Sequence, residues 1–336
     1  MIAGQQPLVS VVTPVFNGEA HIRECIDSVL AQTYTNWDYT IVNNCSTDRT
    51  LEIAREYAAR DSRIRIHNND AFLRIIANYN NAFRQISPGS KYCKVVAADD
   101  WLFPECLERM VGLAEEHPDV AIVGAYGYGF DGTHVVWDGL PYSSKIVPGP
   151  ESCRSFLLGG PYVYGTPSSV LFRSDIVRSR HAFFNEDNLH ADTEACLEFL
   201  EHSNFGFVHQ VLSYSRVQEG SATGLSRRFN TYFPGSLYVL QKYGPRYLDE
   251  GELSRVVRER LRNYYRYLGR QVYKGRSRDF WVYHQEKLAR LGHPLSWARV
   301  AAYAVPPLFA ALQSPVRTFD AILDKLRKIV TGSSGP

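Results

Sequence analysis

The chain of 336 residues is predicted to be an α/β protein: a mostly parallel sheet flanked by helices, with a helical C-terminal extension. Three observations predict this. Short β-branched runs alternate with helical periodicity through the first 125 residues, at the spacing of right-handed strand–helix–strand crossovers. A stretch over 126–165 rich in Gly, Tyr and Pro then breaks the alternation. From about Arg228 helical periodicity dominates.

Val9–Val15 reads as a buried strand, and Ala20–Ala31 as a helix with Ile22, Ile26, Val29 and Leu30 on one face. Tyr39–Val42 is the next strand, and Ser46 or Thr47 is placed to cap a helix reaching about Arg60. Ile64–Ile66 reads as a strand, Ala77–Ile86 as a helix and Lys94–Ala97 as a strand. Pro104 opens a helix to about His117, and Val120–Val123 follows as a strand. Residues 126–165 predict hairpins and a shaped loop rather than another crossover. Asp192–Glu201 returns to helical spacing, and Gly206–Ser215 reads as a strand. Leu253, Val256, Val257, Leu261, Tyr264, Tyr265, Leu268 and Val272 then form a 3-4 stripe suited to packing. The expected divisions are a domain over 1–225 with halves meeting at 125, a helical region over 226–330, and a disordered tail over 331–336.

Bulk chemistry narrows the function classes. Hydrophobic residues make up 45% and charged residues 21%, as in globular proteins. A net charge of +2 gives no global reason for a nucleic-acid partner. The six cysteines have no metal-type spacing and read as reduced thiols of a cytoplasmic protein. The N-terminal stretch lacks the pattern of a signal peptide. Val300–Leu312 is too short, and too broken by Pro306 and Pro307, to cross a bilayer, though it suits lying on one.

In open α/β sheets ligands bind beyond the carboxyl ends of strands. Asp99-Asp100 directly follows an apolar strand there, and two adjacent carboxylates raise each other's pKa unless a cation relieves them. Oxygen-only ligation favours Mg²⁺ or Mn²⁺; an acidic helix cap is the competing role. Asn43-Asn44-Cys45-Ser46-Thr47-Asp48 is either a wall for a base or ribose or an ordinary polar turn. Asp192, entering a helix after His190-Ala191, is either a proton acceptor or an N-cap.

Together these segments resemble the family 2 inverting glycosyltransferases of GT-A fold. VSVVTPVFNGEAHIRECIDSVLAQTYTNWDYTIVNNCSTDRT looks like the family's opening strand–helix–strand unit, and KVVAADDWLFPECLERMV like its metal-binding strand and following helix. TPSSVLFRSDIV, HADTEACLEFL and VLSYSR are similar to the acceptor half. The resemblance spans about residues 7–218 and implies a nucleotide-sugar half over 1–125 and an acceptor half over 126–225.

It also implies roles. Thr13, Pro14, Val15 and Phe16 would border the nucleotide, Phe16 standing where tyrosine is common. Asn43 and Asn44 stand in place of an Asp-Asp pair. Asp100 and Asp99 match the end of the Asp-x-Asp motif as metal ligands, with Asp99 also beside the nucleotide and Ala97 replacing the first acid. Asp192 matches the catalytic base; Arg74, where glycine is frequent, reads as a surface residue. The implied activity is metal-dependent transfer, with inversion, from a UDP- or dTDP-linked sugar to a glycan or lipid-linked acceptor in cell-surface glycan synthesis. The three replacements keep open a non-catalytic nucleotide-sugar sensor of the same fold. A nicotinamide dehydrogenase is excluded, because no GxGxxG follows the first strand.

Arg255, Arg258, Arg260, Arg262, Arg266, Arg270, Lys274, Arg276 and Arg278 make the helical region basic. At helical spacing most lie off the apolar stripe, as either a solvated face or a peripheral contact with an anionic membrane. Ser296–Val330 mixes aromatic and basic residues in the manner of an interfacial or lid element.

Overall fold

The computed structural model describes residues 6–129, 134–135, 138–216 and 222–304. The disordered tail expected over 331–336, and the parts of Val300–Leu312 and Ser296–Val330 beyond Ala304, lie outside the described residues. Two compact units divide the chain: Met1–Gly235 with Lys242–Asp249, and Ser236–Gln241 with Glu250–Pro336.

The first unit opens as the sequence predicts. β1 (Val9–Val15), α1 (Ile22–Leu30), β2 (Trp37–Asn43), α2 (Thr50–Ala58), β3 (Ile64–Asn68), α3 (Ile75–Arg84) and β4 (Tyr92–Val95) alternate along the chain. β1 pairs in parallel with β2 and β4, and β2 with β3. Strand alternation turns Val9, Val11 and Val15 into one core with Ile22, Cys25, Ile26 and Val29 of α1. Each buried Val or Ile there contributes roughly 1.5–3 kcal/mol. The start of α2 departs from expectation: neither Ser46 nor Thr47 caps it. Asp48 Oδ1 instead accepts from the Thr50 amide and hydroxyl, at 3.0 and 2.5 Å, while Ser46 Oγ accepts from the Asn17 amide at 3.0 Å.

The continuation is β5 (Trp101–Leu102), α4 (Cys106–Glu116), β6 (Val120–Gly129), β7 (His134–Val135), β8 (Ile146–Pro148), α5 (Gly149–Leu157), β9 (Val170–Arg173), α6 (Ser174–Arg178), α7 (Ala191–Phe199) and β10 (Asn204–Ser215). The sheet order is β3-β2-β1-β4-β9-β6-β10-β5, with β7 on β6 and β8 on β10. The expected mostly parallel sheet is found, with antiparallel strands added in its second half. β6 and β10 pair in parallel, but β4–β9, β6–β9, β10–β5, β10–β8 and β6–β7 are antiparallel. The stretch expected to be loops also holds α5, opened by Pro150 in its first turn. Gly149 is required there: a Cβ would stand 2.0 Å from the Leu200 carbonyl oxygen and 2.1 Å from that of Ser203. α8 (Ala222–Phe229) and α9 (Tyr232–Tyr247) follow.

In the second unit α10 (Glu250–Gln271) and α11 (Arg278–Arg290) pack through the expected stripe. Val256, Tyr264, Tyr265 and Leu268 are buried, and the Tyr264 hydroxyl lies 2.6 Å from His284 Nδ1. Val272 falls in a 3₁₀ turn after α10 and is exposed, so the stripe stops short of it. No helix among the described residues is long and apolar enough to cross a membrane. All six cysteines are free, and five of them are buried.

Candidate active site

The rim of the sheet gathers acids from both halves of the first unit. Asp99 and Asp100 lie between the end of β4 and β5, and Asp192 lies in the first turn of α7. Each of the three is near enough for its charge to act on one phenol, that of Tyr79 on α3, which burial and then Asp99, Asp100 and Asp192 in turn push well above its usual range. Segments more than 90 residues apart in sequence thus bear electrostatically on one aromatic side chain.

Asp100 is almost wholly buried, at 5% exposure. Its Oδ1 accepts from the Arg216 amide at 2.9 Å and its Oδ2 from the Ser215 hydroxyl at 3.2 Å. Burial, and then the charge of Asp99, push its carboxyl up to about 7 against the hydrogen bonds from Ser168, the Arg216 amide and Ser215. Asp99 is half-buried; burial raises it, and its own amide, His21 and Arg216 oppose the rise. Its carboxylate is therefore the less committed of the two. The Arg216 guanidinium is shared between His21 Nδ1 and Glu24 Oε2, each at 2.6 Å, and lies 5.1 Å from the ring of Trp101. Trp101 itself stacks on Tyr214 at 3.8 Å.

Lys94 carries a signal of its own in the sequence, a lysine inside an apolar strand. It is fully buried, and Nζ donates to the carbonyls of Ser168 and Val170 at 2.8 and 3.1 Å. The Ser168 hydroxyl in turn accepts from the Ala97 amide at 3.0 Å and bonds to Asp100. A chain of contacts thus runs from the strand interior to the acid pair. Desolvation lowers the Lys94 ammonium, as burial of an isolated cation must.

Asp192 Oδ1 accepts from the Thr193 amide at 2.8 Å. Burial raises its carboxyl against the pull of His190 and Thr193. The Thr193 hydroxyl lies 2.9 Å from that of Tyr162, whose phenol is pushed up by burial and then by Asp192.

The expected nucleotide wall is only partly available. Phe16 is 48% exposed and meets Phe72, 58% exposed, edge to face at 4.9 Å. Thr13, Pro14 and Val15 are buried, and the Thr13 hydroxyl is spent on Tyr39 at 2.8 Å, so its side chain is not presented to a base. Strand alternation puts Thr13 on the same side as Val11 and Val15, into the core. Asn43 and Asn44 are also buried and internally satisfied. Asn43 donates to Asn68 at 3.0 Å and accepts from the Ser46 amide at 3.3 Å. Asn44 donates to the Leu73 carbonyl at 2.8 Å and accepts from the Leu73 amide at 2.9 Å and from Asn69 at 2.8 Å. The two amides brace the loop carrying Phe72 instead of offering free edges. Arg74, just before α3, is exposed, as expected.

A mixed sheet flanked by helices in this order is the architecture of the GT-A glycosyltransferases. S. aureus TarS 1-349 superposes with a TM-score of 0.62 at 16% identity, covering 88% of this chain and 82% of that one. The mannosyltransferase PcManGT of Pyrobaculum calidifontis, solved with GDP-Man and Mn²⁺, superposes at 0.55 with 15% identity, covering 94% and 83%. In sequence, the uncharacterized glycosyltransferase YibD of Escherichia coli K12 is 26% identical over 257 residues, covering 72% of each chain. The uncharacterized glycosyltransferase EpsJ of Bacillus subtilis 168 is 36% identical over 188 residues, covering 54% of this chain and 52% of its own. The model of glycosyl transferase family 2 matches residues 10–180. The chain belongs to glycosyl transferase family 2.

Proposed function

We propose that this family member is a metal-dependent, inverting hexosyltransferase that moves a sugar from a UDP- or dTDP-linked donor to a hydroxyl of a glycan or lipid-linked acceptor. The pathway class is cell-surface glycan synthesis, and the working place is the cytoplasm, peripherally at the inner membrane face. The observation that carries the reading is that Asp99, Asp100 and Asp192 all act on the Tyr79 phenol, which places a cation-seeking acid pair and a candidate base within one electrostatic field. A TarS structure with UDP-GlcNAc, superposing at a TM-score of 0.58 and 17% identity, supports a nucleotide-sugar donor for this fold.

The acid pair fits a hard divalent cation such as Mn²⁺ or Mg²⁺: the donors are oxygens, and burial with mutual repulsion disfavours leaving both ionised and bare. Asp99 would lead the ligation, with Asp100 behind it, fixed by Ser168, Ser215 and the Arg216 amide. No cluster of three or more His, Cys, Asp or Glu able to hold a metal occurs among the described residues, so diphosphate and water oxygens would complete the shell. A bound cation supplies neutralisation of charge on the departing diphosphate.

Asp192 takes the proton of the acceptor hydroxyl as that oxygen attacks the anomeric carbon opposite the leaving group. Its raised carboxyl makes it a better acceptor near neutral pH than an ordinary aspartate. One displacement inverts the anomeric centre and leaves no covalent intermediate. Phe16 and Phe72 offer a stacking face for the base. The deciding experiment is donor turnover with Mn²⁺ in the parent and in Asp192→Asn. Turnover lost only in the variant supports the enzyme; zero turnover in both, with nucleotide still bound, supports the sensor.

A further inference from the structure

The second unit carries a charged surface that sugar transfer leaves unused. Along α10, positions 255, 258, 262, 266 and 270 are all arginine and all exposed. At 100° per residue they fall within about 120° of one another around the axis, and they span about 22 Å of its length. Val256, Tyr264 and Leu268 point elsewhere, into the core. Between Arg255 and Arg270 the only acid is Glu259, exposed on this same face, so five arginines stand there against one carboxylate.

An ordinary solvated helix face mixes its signs. α4 does so at its start, where Arg109 pairs with Glu105 at 3.4 Å. On α10 no carboxylate among the described residues stands within ion-pair distance of these five guanidinium groups, and Arg266 has a contact only with Asn263 Oδ1, at 3.3 Å. Like charges three and four residues apart work against the helix, so the row costs stability until an anionic partner neutralises it. Immediately beyond the helix, Val272 and Tyr273 are exposed, at 44% and 47%, with Lys274 beside them. A straight row of five arginines on one face of a helix, against a single acid, is complementary to a flat anionic interface.

We propose that the Arg255–Arg270 face of α10 is a docking surface for an anionic lipid bilayer. The proposal deepens the lipid-linked-acceptor reading above and rests on it for its purpose, since docking would hold the enzyme where such an acceptor is displayed. Basic residues near a charged bilayer act roughly additively, so removing three arginines weakens partitioning by about a hundredfold.

The test is co-sedimentation of the full chain with vesicles of phosphatidylcholine alone and of phosphatidylcholine mixed with phosphatidylglycerol, for the parent and Arg258→Gln/Arg262→Gln/Arg266→Gln. Expected are binding to the mixed vesicles only, its reversal by high salt, and about a hundredfold loss in the triple variant. Restoration by lysine at the same three positions is also expected. Thermal-shift binding of UDP with Mn²⁺, unchanged in the triple variant, certifies its fold. Equal partitioning of parent and variant, or equal binding to neutral vesicles, overturns the proposal. So does displacement of the parent from mixed vesicles by a duplex DNA fragment it binds more tightly. Vesicle binding by a chain that binds no nucleotide would support the surface while removing the glycosyltransferase reading.

Discussion

The two halves of the first unit solve the same problem by different means. Residues 1–95 build a parallel sheet by successive crossovers, with β2 and β3 laid on one side of β1 and β4 on the other. Residues 126–216 insert β9 antiparallel between β4 and β6, and return β10 alongside β6 across more than 80 residues of chain. The first half supplies strand ends, with Asp99 and Asp100 just beyond β4. The second supplies Asp192, and also Ser215 and the Arg216 amide, which fix Asp100 at the end of the first half. The two halves are therefore not structurally independent: Asp100 of the first is set in place by the Ser215 hydroxyl and the Arg216 amide of the second.

The sharpest way to break this comparison is Asp192→Asn. If the second half carries the chemistry, transfer falls by about a thousandfold while donor affinity stays put, since a general base contributes roughly 10²–10⁴. Comparable transfer rates would remove Asp192 from the mechanism. Next in size, Asp99→Ala or Asp100→Ala should abolish the Mn²⁺-dependent part of nucleoside-diphosphate binding in calorimetry. Unchanged affinity in both would end the metal assignment.

The third prediction concerns pH. Asp100 sits at about 7 when folded, above the value of an exposed carboxyl, so the folded state binds its proton more tightly. Without metal, stability should therefore rise as pH falls from about 8 towards 5, and decline again as pH climbs through 7. Asp100→Asn should flatten that slope and stabilise the metal-free protein at pH 8, on the order of 2–4 kcal/mol. Melting curves of the two proteins across pH, with chelator present, decide it; parallel curves would refute the buried-acid picture.

Two smaller changes sharpen the donor wall. Phe16→Ala should weaken nucleotide binding about tenfold, because a stacked aromatic ring is worth roughly 1–3 kcal/mol to a base. Thr13→Val should leave nucleotide affinity unchanged and cost only about 1 kcal/mol of stability, the loss of one buried hydrogen bond. A large affinity loss in Thr13→Val would show that β1 reaches the base after all.

What was legible in the sequence follows the same line between the halves. β1 through β4 announce themselves because local periodicity marks each as a strand. α5, the antiparallel seat of β9 and the short β5 do not, because each is settled by distant partners such as Leu200 and Ser203 against Gly149. The acids were found by residue type at strand and helix ends. The orientation of Thr13 was readable in principle from strand alternation, since Val11 and Val15 flank it on the same side. The internal hydrogen bonding of Asn43 and Asn44 was not, because their partners Asn68, Asn69 and Leu73 come from the next loop.

Arg216 ties these themes into an order of assembly. Its amide reaches Asp100 only if β10 has zipped in the right register against β6, a pairing that shifts step at more than one point. A slip of one residue would present a different amide and carry Ser215 to the wrong face. The surroundings of Asp100 are thus completed by the last strand of the sheet to be made, so nascent chains lacking β10 are expected to hold a formed parallel core and, on the proposed function, to bind no nucleotide.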